Sequence, residues 1–281
     1  MQKALKKYFA FFTFPTLIAF TIAFFLPFIV GIFLSFAKFT TVLDAQWVGL
    51  GNYVKAFSDG NDFLNALWFT VKFAVVSVIT ENIIAFFLAV LLTRGGRGTN
   101  FFRTVFFMPN LIGGIVLGYI WQTIFNAVLR PYAMTLTTNA KYGFWGLVIL
   151  MNWQMIGYMM VIYIAGIQNV PEELIDAAKV DGASRSQTLW NVTVPMVMPS
   201  ITICLFLTLT NAFKLFDQNL ALTNGAPGKS SEMLALNIYN TFYGTIGFEG
   251  VGQAKAVIFT IIVAAISFLQ IRATRKKEVE N

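Results

Sequence analysis

Long charge-poor runs alternate with short polar segments along this chain. The runs cover residues 8–37, 63–92, 104–129, 142–170, part of 186–213, and 256–271; the second is interrupted by Lys72 and Glu81. About 20 apolar residues in a helix cross the hydrocarbon core of a bilayer. In lipid each backbone N–H and C=O must be satisfied within its own segment, so the runs are expected to be helices. The pattern predicts an all-α membrane protein of one domain, 1–281. Its spans fall at about 9–36, 66–92, 104–127, 144–168, 194–215 and 253–271, with a polar loop at 169–193 between the fourth and fifth. The first run follows Lys3, Lys6 and Lys7 and contains Ser35-Phe36-Ala37, as a signal peptide could. It is much longer than the about 7–15 apolar residues of a signal core, so it is expected to stay as a span.

Composition agrees: 57% of the 281 residues are apolar, only 12% are charged, and 30 are Phe. With no His, a haem-ligating His, a His-based zinc site and a Ser-His-Asp triad are excluded. The single Cys204 cannot form an internal disulfide and is expected to pack as a small hydrophobe. The net charge of +7 does not point to nucleic acid, because the basic residues gather at the ends of apolar runs, where they signal topology. Lys3, Lys6, Lys7, Arg94, Arg97, Arg103, Lys179, Arg185, Arg272, Arg275, Lys276 and Lys277 lie on one side. Lys38, Lys55, Arg130, Lys141, Lys214, Lys229 and Lys255 lie on the other, spread over longer loops. The richer side is expected to be cytoplasmic, with both termini inside the cell membrane.

The 169–193 loop is too polar for lipid and too patterned for a linker. Pro171 suits the start of a helix, with Glu172 and Glu173 at its positive end. Leu174, Ala177, Ala178 and Asp181 fall at 3–4 spacing, giving a mostly small apolar face. Gly182 fits a helix stop, and Ser184 with Gln187 reads as a capping box that opens a second helix. Pattern alone leaves two readings open, a surface helix that caps the bundle and a docking element for another protein.

Asp176-Ala177-Ala178, then Gly182, then Val192-Thr193-Val194-Pro195 resembles the "EAA" signature of permease subunits of binding-protein-dependent ATP-driven importers. The spacing matches throughout, with Asp for Glu and Val for Ile and Leu. Trp47-Val48-Gly49-Leu50-Gly51-Asn52-Tyr53, Phe101-Phe102-Arg103-Thr104-Val105-Phe106-Phe107-Met108-Pro109 and Leu222-Thr223-Asn224-Gly225-Ala226-Pro227-Gly228 resemble segments of the carbohydrate branch, in the same order. The resemblance implies a type I importer permease fold with a cytoplasmic coupling helix between spans 4 and 5. It places ATPase coupling on Glu173, Leu174, Asp176, Ala177, Ala178, Asp181, Gly182 and Ala183. It implies as partners a second homologous permease, two ATPase subunits that hold the ATP and Mg, an extracytoplasmic binding protein and a small carbohydrate. This chain itself is expected to bind no cofactor and to catalyse nothing.

Three spans carry polar stripes in otherwise apolar helices: Asn110 and Gly114; Met151, Gln154 and Tyr158; Thr208, Asn211 and Leu215. By resemblance these stretches line the sugar path. They could equally bond helix to helix. Glu81, deep in span 2, must face protein or water, and it lies nine residues from Lys72, on another face. Lys214 and Asp217, at the outer end of span 5, could meet the binding protein or each other. Gly228-Lys229-Ser230 is not a P-loop, since Thr223 stands where the first Gly is needed. The competing reading is a carrier driven by an ion gradient, which needs several intramembrane ionisable groups; only Glu81 is deep in a span. A membrane enzyme would lack obvious chemical residues.

Overall fold

Apolar runs become helices almost throughout the computed structural model, which describes residues 2–58, 62–96 and 98–275. Arg97, Lys276 and Lys277, and the side chains of Lys3, Lys6 and Lys7, which entered the orientation argument, lie outside what is described. Among the described residues four helices are long and apolar enough to cross a membrane, or up to six when each of two bent pairs counts as one span.

The described residues form two compact units, Met1–Phe63 with Ile238–Thr260, and Leu64–Asn237 with Ile261–Asn281. In the first, α1 (Gln2–Phe20) runs through a π turn at Thr21–Phe25 into α2 (Leu26–Leu34). A two-residue hairpin follows, β1 (Ala37–Lys38) against β2 (Gln46–Trp47), a small departure from the all-helical expectation. The loop between the strands is clasped by Asp44: its carboxylate accepts from the backbone N–H of Thr40 and Thr41 and from the Thr40 hydroxyl, at 2.8–2.9 Å. Then comes α3 (Gly51–Ser58), whose buried Asn52 donates to the carbonyls of Ser35 and Ala37 at 2.9 and 2.8 Å.

The second unit takes most of α4 (Asp62–Thr93), then α5 (Thr99–Phe107), α6 (Gly114–Leu129), α7 (Ala140–Gln168) and α8 (Glu172–Val180). It continues with α9 (Arg185–Thr188), α10 (Val194–Met196), α11 (Met198–Phe213) and α12 (Asp217–Leu222). The helices α13 (Leu234–Gly244) and α14 (Glu249–Arg275) each contribute to both units. Buried polar side chains tie three spans together: the Tyr163 hydroxyl donates to Asn82 Oδ1 at 2.6 Å, and Asn82 Nδ2 donates to Thr208 Oγ1 at 3.0 Å.

Two expected spans are corrected. The 104–127 span is not one helix: Thr99–Leu111 and Gly114–Tyr132 meet at 101°. The 194–215 span breaks at Val197, where Arg185–Met196 meets Met198–Phe213 at 70°. Gly113-Gly114 and the prolines Pro195 and Pro199 are the local causes, since Gly costs helix stability and Pro lacks the N–H the ladder needs. Conversely α4 and α14 run several residues beyond the expected 66–92 and 253–271.

The broken span 3 is held by close approaches. A Cβ on Gly157 would collide with the backbone of Phe106. Gly114 and Gly118 form a Gly-x-x-x-Gly pair against α12: Cβ atoms there would lie 2.8 Å from Asp217 Cβ and 2.5 Å from Ala221 Cβ.

Candidate functional site

The polar loop folds as its pattern predicts. Pro171 stands just before α8, with Glu172 and Glu173 in the first turn. The helix ends in a Schellman turn: Ala183 N–H reaches Ala178 O at 2.9 Å, Gly182 N–H reaches Lys179 O at 3.0 Å, and Gly182 takes φ +77°. Ser184 and Gln187 form the reciprocal capping box that opens α9. An α8 face is left open, with Leu174 42% and Val180 87% exposed, and with Glu173, Asp176, Ala177 and Asp181 also exposed. Ala178 and Ala183 are half-buried, as is Ile175, so the helix turns these residues inward. The outward apolar set is thus Leu174, Ala177 and Val180. Val180 falls outside the i, i+3, i+4, i+7 set formed by Leu174, Ala177, Ala178 and Asp181, so the pattern does not include it. Lys179 and Asp176 pair at 2.8 Å on the exposed surface, a contact of little energetic weight.

A second feature is a cavity of about 390 Å³ at the opposite end of α11. Its walls include Met151, Asn211 and Leu215, three of the expected path residues. They are joined by Met155, Lys214, Phe216, Asp217 and Gln218. The volume is in the range of small-molecule sites, about 300–1,000 Å³. Among the described residues no ion pair joins Lys214 to Asp217, so the cavity presents both charges and two amides. Gln218 lies beyond the expected end of span 5 at about 215, on the six-residue helix α12; Asp217 in its first turn is the available signal.

The remaining path residues stand beside the cavity or apart from it. Gln154 Nε2 donates to the Ile112 carbonyl at 3.1 Å, and Gln154 Oε1 accepts from Gln218 Nε2 at 2.9 Å. Gln154 therefore props the break in span 3 while holding a wall residue in place. Asn110 Nδ2 rests on Met155 Sδ at 3.2 Å, next to the wall. Neither these two nor the other three path residues line the cavity. Gly114 admits α12. Thr208 belongs to the Asn82–Tyr163 network and donates to the Cys204 carbonyl at 2.9 Å. Tyr158 is half-buried elsewhere on α7. Cys204 is fully buried, as a small hydrophobe would be.

Glu81 is 1% exposed and neither carboxylate oxygen has a hydrogen-bond partner among the described residues; Ser77 Oγ, one turn away, has none either. Lys72 lies over the Trp68 ring at 5.8 Å and does not pair with Glu81. The 223–233 segment is organised by Asn219, whose side chain bonds Thr223, the Ser231 carbonyl and the Met233 N–H at 2.9–3.0 Å.

The family model for the inner membrane component of binding-protein-dependent transport systems matches residues 81–275. The chain is 46% identical over 276 residues to the probable starch degradation products transport system permease protein AmyD of Thermoanaerobacterium thermosulfurigenes, covering 95% of this chain and 93% of that one. It is 30% identical to the multiple sugar-binding transport system permease protein MsmF of Streptococcus mutans, with 99% of each covered. A crystal structure of a bacterial alginate ABC transporter, in complex with an alginate pentasaccharide-bound periplasmic protein, contains a chain of the same fold. It matches at TM-score 0.81 and 18% identity, covering 98% of this chain and 97% of that one.

Proposed function

Because the chain belongs to the family of inner membrane components of binding-protein-dependent transport systems, we propose that its α8 docks into a separate ATPase subunit and that its α7–α11–α12 cavity receives the solute. It is a membrane-spanning subunit of an ATP-driven sugar importer with a type I permease fold. ATP is hydrolysed on other subunits, and an ion-gradient carrier is not favoured. The observation that carries the docking is the open face of Leu174, Ala177 and Val180, held between two hydrogen-bonded turns. A short rigid helix with an unpaired apolar face suits a groove on a partner.

Both termini and the α8 loop lie in the cytoplasm in this reading, as the basic-residue asymmetry supports. The assembly contains a second homologous permease, two ATPase subunits carrying ATP and Mg, and an extracytoplasmic binding protein that delivers the solute. Starch degradation products are the solute class, by likeness to AmyD. Asn211 and Gln218 suit hydroxyl groups, and Phe216 offers an apolar ring face. Alternating access then follows as a rigid-body change driven by ATP binding.

The test is reconstitution of the full complex with its binding protein, reading solute-stimulated ATPase and uptake. Asn211→Ala should raise the half-saturating solute concentration roughly three- to tenfold, the loss of one neutral hydrogen bond. ATPase subunits should still copurify. Unchanged uptake kinetics would remove Asn211 from the site. Stimulation by charged amino acids and not by carbohydrates would overturn the solute class.

A further inference from the structure

A cleft of about 530 Å³ lies behind α8, on the side away from the open docking face. One wall is apolar, formed by Val90, Ile167 and Leu189 near the ends of helices. The rim is basic, formed by Arg94, Lys179 and Arg185. Lys179 is engaged by Asp176, but among the described residues neither the Arg94 nor the Arg185 guanidinium has a hydrogen-bond or ion-pair partner. An adjoining hollow of about 340 Å³ shares Thr93 and is bordered by Arg103, whose buried Nε is also unpartnered. Trp190, beside Leu189, is 54% exposed, and such a ring marks the level of lipid headgroups.

We propose that this cleft holds the phosphate headgroup of an anionic phospholipid from the leaflet on the α8 side. Guanidinium groups bind phosphate oxygens in a forked, charge-assisted geometry, and two are free to do so here. The apolar wall meets the first methylenes of the acyl chains. A soluble phosphate could use the same guanidinium groups but gains nothing from that wall. An acidic residue of a partner docked on Leu174, Ala177 and Val180 approaches from the other side of α8, because the half-buried Ile175, which lines the cleft, lies on the reverse face. The proposal rests on the chain's place in a membrane and not on the solute or on the docking of α8.

The full chain, with the subunits that copurify with it, is placed in nanodiscs of phosphatidylcholine containing one quarter phosphatidylglycerol and a photoactivatable phosphatidylglycerol. Label should land on residues 90–94 and 183–193. In Arg94→Gln/Arg185→Gln it should fall roughly 25-fold, since each basic residue near an anionic surface contributes about a factor of five. Both arginines are exposed, so the variant keeps its core. Arg94→Lys/Arg185→Lys, which keeps the charge, should retain most of the label, and excess inorganic phosphate should leave it unchanged. Equal labelling of the glutamine variant would overturn the proposal. So would displacement by inorganic phosphate, which assigns the site to a free anion. Arg185 crosslinking to acidic residues of a copurified protein in place of lipid would also overturn it.

Discussion

Asp44 shows how one side chain fixes a loop without burial. Hydrogen bonds from the backbone of Thr41 and Thr40, then from the Thr40 hydroxyl, favour its charged form and hold its pKa below the usual 3.8. A depressed carboxylate contributes stability above its unfolded pKa and loses it as pH falls through the folded one. The clasp is therefore intact at neutral pH and opens only below pH 3.8. A carbon NMR titration, with Asp44→Asn for assignment, should give a midpoint under that value; a midpoint at or above it would contradict the clasp. At this scale the sequence was legible wherever the signal was local. Ser184 with Gln187 and Gly182 announced a cap and a turn because their bonds are made within a few residues. Thr208 and Asn211 lie three apart on one apolar helix, yet one bonds to Asn82 and the other lines the cavity. Which neighbour a polar group meets is a tertiary fact that spacing does not encode.

Among the elements, spans 1, 2, 4 and 6 were readable from hydropathy, and the breaks in spans 3 and 5 were not. A run that is apolar on every side has no amphipathic phase to lose, so a bend leaves no mark in the pattern. Gly113-Gly114 and Pro195 with Pro199 were visible, but Pro and Gly also occur in unbroken membrane helices. The bend in span 3 is sustained by contacts from elsewhere, the Gln154 amide on Ile112 O and the seat of α5 on Gly157. Gly157→Ala should cost about 1–3 kcal/mol, because the added methyl meets backbone and neither helix can yield locally. A lower midpoint of thermal unfolding in detergent checks this. Wild-type stability would mean that α5 does not sit against α7 as described.

For the whole molecule, the proposed docking of α8 requires that helix to convey force, and so a stiff junction after it. Gly182 takes a left-handed conformation with no heavy atom near its missing Cβ, so any side chain there meets backbone strain and no steric wall. Valine in that conformation costs roughly 1–2 kcal/mol or more. Gly182→Val should insert into the membrane normally yet lose most solute uptake while ATP hydrolysis continues. Wild-type uptake by this variant would show that the turn is not needed for coupling.

The bridge from Asn82 through Tyr163 to Thr208 pins α4, α7 and α11 at one depth, like rods through a common bolt. Met151 and Asn211, on two of those rods, both line the cavity. A push arriving at the foot of α7 thus carries both along together. In the proposed transport cycle the chamber would then swing from one face of the bilayer toward the other with its contents still held, and need not be crushed to let them go.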